Sequence, residues 1–262
     1  AIGTFALEDQ NFTTATDAYN TAVGNAAGAN VTTGLYNTLI GGLAGDAITT
    51  GDHNVTLGVS ALTSNTAANK NVAIGSNSLS VFNVTSDTDT YNTAVGYGAG
   101  QQVTTATNNT LIGGLAGDAI TTGNDNTAVG GSALTTNITG ANNVAMGVSA
   151  LKLNTGSDNT AVGRGALLNQ AAGSDNTAVG KDAGNDITTG IKNTLIGALA
   201  GDALTDADSN VAVGRAALST DTLGSCSVAI GRNALIVQNF TTATDSFNTA
   251  VGDRAGTAVT TG

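Results

Sequence analysis

This chain has no proline and no tryptophan, one cysteine, one histidine, one methionine and one glutamate among its 262 residues, and aromatics make up 3%. Each scarcity excludes something. A lone Cys226 rules out a disulfide within the chain. A lone His53 leaves a serine triad or a histidine-rich metal site almost nothing to use, and the equivalent positions of the other repeats are not His. So few aromatics exclude a globular core of the usual kind, which takes much of its buried area from them. Acids are almost all Asp, with Glu8 the exception, and Asp favours turns where Glu favours helices. No hydrophobic run is long enough to span a bilayer. A net charge of −11 disfavours nucleic acid and anionic membrane surfaces as partners.

What is present is small and repetitive. There are 36 glycines, and a hydrophobic fraction of 40% is too high for a disordered Gly/Asn/Thr tract. A five-residue unit recurs, as in Asn20-Thr21-Ala22-Val23-Gly24, Asn37-Thr38-Leu39-Ile40-Gly41 and Asn71-Val72-Ala73-Ile74-Gly75. Its closing glycines, from Gly3 to Gly252, are mostly 17 residues apart, with one interval of 16 and three of 21. A period that short and even leaves no room for a helix pair or a propeller blade and predicts one solenoid coil per unit. The fold expected is all-β: a parallel β-solenoid of about fourteen coils, continuous over 1–262. Residues 1–34 align without a gap with 229–262, so a super-repeat of 1–228 begins again at 229. The chain starts inside a repeat and stops at Thr260-Thr261-Gly262, which reads as a piece of a longer fibre.

With the Asn numbered as position 1, positions 2 to 4 form a strand ended by Gly at position 5. Neither strand face looks solvated: position 4 is always aliphatic or Met and position 3 nearly always Ala. The expectation is that position 4 (Val23, Ile40, Leu57, Ile74) forms a buried column. The alanines (Ala22, Ala94, Ala128) then face another copy of the chain. Asn20, Asn37, Asn54, Asn71, Asn92, Asn109, Asn126 and Asn143 are expected to stack as a hydrogen-bonded amide ladder. Ser227 replaces Asn in one coil.

Positions 9 and 12 compensate. Where position 9 is Gly (Gly28, Gly45), position 12 is aliphatic (Val31, Ile48). Where position 9 is Leu (Leu62, Leu134), position 12 is polar (Asn65, Asn137), with Phe82 the exception. Close packing predicts one large apolar group per coil from one position or the other, with Asn65 facing solvent or bonded to backbone.

Three coils carry four extra residues, at 8–19, 80–91 and 236–247. They hold six of the nine aromatics: Phe12, Tyr19, Phe82, Tyr91, Phe240 and Phe247. These are the candidate contact loops, with loop staples the competing role. The Asp of the recurring Leu-Ala-Gly-Asp-Ala (Asp46, Asp118, Asp202) reads as a turn cap or, alternatively, a calcium ligand. Cys226 reads as a small filler. No cofactor is expected.

Asn71-Val72-Ala73-Ile74-Gly75 and Ser227-Val228-Ala229-Ile230-Gly231 closely resemble the head repeats of trimeric autotransporter adhesins of the YadA type, and related repeats occur in phage tail fibres. The resemblance runs through all fifteen motif copies. It implies a left-handed parallel β-roll and three identical chains around one axis. These coils exceed the family's usual length by about three residues. The implied role is a non-enzymatic structural rod of an extracellular fibre or adhesin: a homotrimer, with filament bundling and a surface or glycan ligand as further partners. A phage fibre shaft or an ice- or sugar-binding solenoid is the alternative.

Overall fold

A computed structural model describes residues 1–261; Gly262, the last residue of the terminal repeat, lies outside the described residues. Among those residues there is no helix, so none that could cross a membrane. The fold is a parallel β-solenoid of about fourteen turns, as the 17-residue spacing predicts. The chain divides into two compact units, Ala1–Gly131 and Ser132–Gly262.

In the first unit, seven three-residue strands pair in parallel: β1 Thr21–Val23, β2 Thr38–Ile40, β3 Val55–Leu57, β5 Val72–Ile74, β7 Thr93–Val95, β8 Thr110–Ile112 and β9 Thr127–Val129. Two shorter strands, β4 Ala68–Asn69 and β6 Thr88–Asp89, pair apart from them. The second unit repeats the plan. Its main strands are β10 Val144–Met146, β11 Thr160–Val162, β12 Thr177–Val179, β13 Thr194–Ile196, β14 Val211–Val213, β16 Val228–Ile230 and β18 Thr249–Val251. The short pair there is β15 Gly224–Ser225 with β17 Thr244–Asp245. Every main pairing aligns equivalent positions, as Thr21 with Thr38, Ala22 with Leu39 and Val23 with Ile40. The 16-residue coil keeps this register, with Val144 opposite Thr160.

The strands stop after three residues because of position 5. Gly41 has φ +133°, and a Cβ there would lie 2.4 Å from the carbonyl oxygen of Gly58. Only glycine allows neighbouring coils to approach that closely. Three other positions per coil, 7, 9 and 17, also take positive φ, and most of them are not glycine: Leu43, Leu62 and His53 have φ of 58°, 53° and 58°. Such a residue costs on the order of 1 kcal/mol. Each of these three turns its amide along the stack: Leu43 N–H donates to Asn25 O, Leu62 N–H to Ser78 O and His53 N–H to Leu35 O. The strain is thus coupled to hydrogen bonds between coils.

The two strand faces are the reverse of the sequence expectation. Position 3 is the interior: Ala22, Leu39, Ala73, Ala94 and Ala128 are all buried. Position 4 points outward and stays half-exposed or exposed, with Leu57 at 46% and Ile112 at 39%. The alternation of faces holds, but size decides which face goes in. The coil is thin, and the opposite wall already sends in Ala at position 8 and a large group from position 9 or 12; Ala44, Ala61, Ile48 and Leu62 are fully buried. A methyl, or at Thr56 a threonine, fits opposite them, and a leucine is found there only where position 9 is glycine. Leu39 is such a case. Its Cδ2 lies 2.8 Å from where a Cβ on Gly45 would sit, and its Cδ1 2.4 Å from one on Gly28 in the preceding coil. Leu111 fills the spaces at Gly117 and Gly100 in the same way, as does Leu195 at Gly201 and Gly184.

The compensation between positions 9 and 12 is therefore real but extends to position 3 and across two coils. Leu62 and Ile48 are equally buried. Asn65 is bonded to backbone but lies inside, not toward solvent. Its Oδ1 accepts from Ala68 N–H at 3.0 Å and its Nδ2 donates to Ala68 O at 2.9 Å. Asn137 makes the same pair of bonds to Gly140. A buried amide satisfied on both atoms costs little where an unsatisfied one would not be tolerated. Phe82 departs from the rule: it and Leu79 are both buried in one coil.

This packing predicts that Ala73→Leu, in a coil already filled by Leu79 and Phe82, destabilises the chain by about 1–3 kcal/mol. The check is the urea unfolding midpoint. An unchanged or raised midpoint would place Ala73 outside the interior.

Candidate interaction surface

Asparagine at position 1 has one inward-facing role. In the first unit the backbone N–H of Asn37 donates to Asn20 Oδ1 at 2.8 Å, Asn54 to Asn37 at 2.9 Å and Asn71 to Asn54 at 3.0 Å. Asn92, Asn109 and Asn126 continue the series. Meanwhile Nδ2 reaches back to close its own coil: Asn20 donates to Gly34 O, Asn37 to Gly51 O and Asn109 to Gly123 O. Direct amide-to-amide bonds are fewer and longer, such as Asn54 Nδ2 to Asn37 Oδ1 at 3.2 Å. The column is thus chiefly a side-chain-to-backbone clamp. In the second unit Asn143 begins a like series through Asn159, Asn176, Asn193 and Asn210. Ser227 keeps the backbone bond to Asn210 Oδ1, at 2.9 Å, but is too short to close its coil. Gln238 donates to its hydroxyl at 2.8 Å instead.

The outward strand face carries the apolar stripe. Position 4 contributes Val23, Ile40, Leu57, Ile74, Val95, Ile112 and Val129 in the first unit, and Met146, Val162, Val179, Ile196, Val213, Ile230 and Val251 in the second. Position 2 beside it is Thr or Val throughout. Near Leu57 the stripe broadens, because Val55 and Val59 are also exposed.

A second exposed column runs along position 17, just before each Asn, and sequence reasoning missed it. Tyr19 and Tyr36 stack with ring centres 5.5 Å apart, and Tyr36 and His53 at 4.7 Å. Lys70 follows, its Nζ 5.3 Å from the ring centre of Tyr91. The signal was available: these residues share one coil position, but Tyr36 lies outside the long coils and was not aligned with Tyr19 and Tyr91. His53 is an exposed member of this stack.

The six aromatics of the long coils separate into two groups. Phe82 and Phe240 are buried and Phe12 half-buried, whereas Tyr19, Tyr91 and Phe247 are exposed. The ends of two of these loops are fastened to the preceding coil. In the first, β6 pairs β4, Lys70 Nζ binds Asp89 at 2.5 Å and Asn69 donates to Asp87 at 2.7 Å. The mutual hydrogen bond holds Lys70 above and Asp89 below its ordinary pKa. In the second, β17 pairs β15 and the buried Asp221 carboxylate accepts from Phe240 N–H, Gly224 N–H and Gln238 Nε2. The tips, such as 85–87 and 241–243, are exposed, and so are Thr88, Asp89 and Asp245 in the fastened ends. Sequence reasoning treated all six aromatics as one class because their burial depends on coil position, which the count of extra residues conceals.

The remaining candidates separate in the same way. Asp46 accepts from the Thr63 hydroxyl, while Oδ1 of both Asp118 and Asp202 is enclosed without a partner. Among the described residues no three His, Cys, Asp or Glu side chains gather as a metal-ligand set. Burial, then the nearby Asp245 carboxylate, pushes the Cys226 thiol up and away from the reactive thiolate.

The split among the aromatics predicts unequal costs. Phe82→Ala lowers stability by about 3–5 kcal/mol, as a fully buried ring, whereas Phe247→Ala stays within the ~0.5 kcal/mol usual of surface changes. Urea denaturation of both variants checks this, and equal losses would contradict it.

No family model matches this chain, and neither does any curated protein or solved structure.

Proposed function

We propose that this chain is a structural, non-catalytic rod segment of an extracellular fibre or adhesin, and that it works as a homotrimer packed through the position-4 stripe. The observation that carries the reading is the stripe itself: an aliphatic or methionine side chain in every coil, turned away from the interior. Contiguous apolar surface of this kind is uncommon on a monomer. A second copy is the fitting cover, because its coils have the same strand spacing of about 4.8 Å and its side chains meet the stripe at every step. The sequence resemblance favours three chains. The alanines, which sequence reasoning gave this role, are inside the coil and cannot serve it.

A rod built this way functions by length and stiffness, carrying a tip or loops away from a surface; a phage fibre shaft would use the same geometry. A glycan ligand is less well served, because the faces of Tyr19, Tyr36 and His53 largely cover one another. Ice binding would need an unbroken column of exposed Thr. At position 14 Thr33 and Thr50 are followed by Ala67 in the first unit, and Thr189 is flanked by Ala172 and Asp206 in the second.

Analytical ultracentrifugation tests the reading. The unmodified chain sediments as a trimer, and Ile40→Asp with Ile74→Asp and Val95→Asp shifts it to folded monomer, because a charge in the packed stripe would be buried without a partner. An unmodified chain that is monomeric at all concentrations overturns it.

A further inference from the structure

The turn Leu-Ala-Gly-Asp-Ala places an Asp at position 10 of three coils, and these carboxylates are not treated alike. Asp46 receives the hydroxyl of Thr63 from the next coil. The coil after Asp202 offers Ser219 at that place, and Asp202 Oδ1 is enclosed with no hydrogen-bond partner. Asp202 opens on a surface cleft lined by Arg164, Leu168, Asp182, Asn185, Asp186 and Leu199. Two of those neighbours carry the same charge as Asp202. The positive groups are turned to Asp182: Arg164 lies 3.9 Å from it and Lys181 3.4 Å, both largely in solvent. Asn169 donates to Asp186 at 3.0 Å. Asn185, the equivalent residue one coil earlier, donates to Gly165 O at 3.1 Å. The only group that favours ionised Asp202 is its own backbone amide.

We propose that this cleft is a proton-binding site, and that a proton taken up by Asp202 as the surroundings acidify tightens the coils on either side of it. A half-buried carboxylate with one oxygen enclosed and no side-chain donor, beside two further carboxylates, disfavours the ionised form. Burial first, then Asp186 and Asp182, push the Asp202 carboxyl up to about 6 from an ordinary 3.8. The folded chain therefore binds this proton more tightly than the unfolded chain, by up to roughly 100-fold before solvent screening. The sign follows: between those two pH values the folded state carries more protons, so the stabilisation is full below about pH 4 and is lost as pH rises through about 6.

Asp202→Asn, which installs the amide found at Asn185, is the test variant. Thermal unfolding of the unmodified chain and the variant is compared from pH 4 to 8, and the variant's advantage in Tm grows through pH 4–6 and levels off above. Carboxyl ¹³C titration of the unmodified chain reads the same site without a substitution and places the Asp202 midpoint near 6. A midpoint near 4 overturns the proposal whatever the variant does. So does a Tm difference that does not change with pH.

Discussion

The interaction on which the rest of this structure depends is the asparagine at position 1, which does two jobs at one corner. Its Oδ1 holds the backbone amide of the next coil and its Nδ2 holds the carbonyl that closes its own. Each main strand is only three residues long, too short to fix a 17-residue coil by itself. Between strands the chain turns through residues of positive φ whose amides run along the stack. Those turns are strained in isolation and persist where surrounding contacts over-determine them. The clamp fixes where each coil begins relative to the last, so that the strained corners meet their carbonyls. At Ser227, where the amide is missing, Gln238 and Ser246 supply the bonds instead, which shows how closely the corner is kept satisfied.

A coil closed this tightly has a small interior, and the interior sets the amino-acid composition. Alanine at positions 3 and 8, one large group from position 9 or 12, and a leucine at position 3 only beside glycine are one packing rule seen from three walls. Polar residues enter the core at position 12 because the closing carbonyl and amide lie within reach, as Asn65 and Asn137 show. At position 4 the larger aliphatics are turned outward for want of room, and the stripe they form is what the proposed trimer rests on.

Much of this was legible in the sequence. The period, the strand positions, the glycine stop and the asparagine column follow from spacing, because each coil meets the same neighbours. Which strand face goes inward was misread, since apolar pattern alone ranks valine above alanine for burial. The deciding signal lay in the pairing of Leu39, Leu111 and Leu195 with glycine at position 9, which makes sense only if position 3 points inside. The exposed column of Tyr36, His53 and Lys70 went unseen for a different reason: it is a property of the stack, and none of its members is unusual within its own coil. The unequal state of the three Asp residues is likewise hidden from any motif: Asp46 meets the Thr63 hydroxyl, whereas Asp118 and Asp202, followed by Thr135 and Ser219, each keep an enclosed Oδ1 without a partner.

Amide hydrogen exchange measured by NMR tests the clamp most directly. The account predicts that the backbone amides of Asn37, Asn54 and Asn71, held by a neighbouring coil's side chain, exchange as slowly as the strand amides of Thr38 and Val72. Exchange of those asparagine amides as fast as that of the exposed loop tip at 85–87 would contradict it.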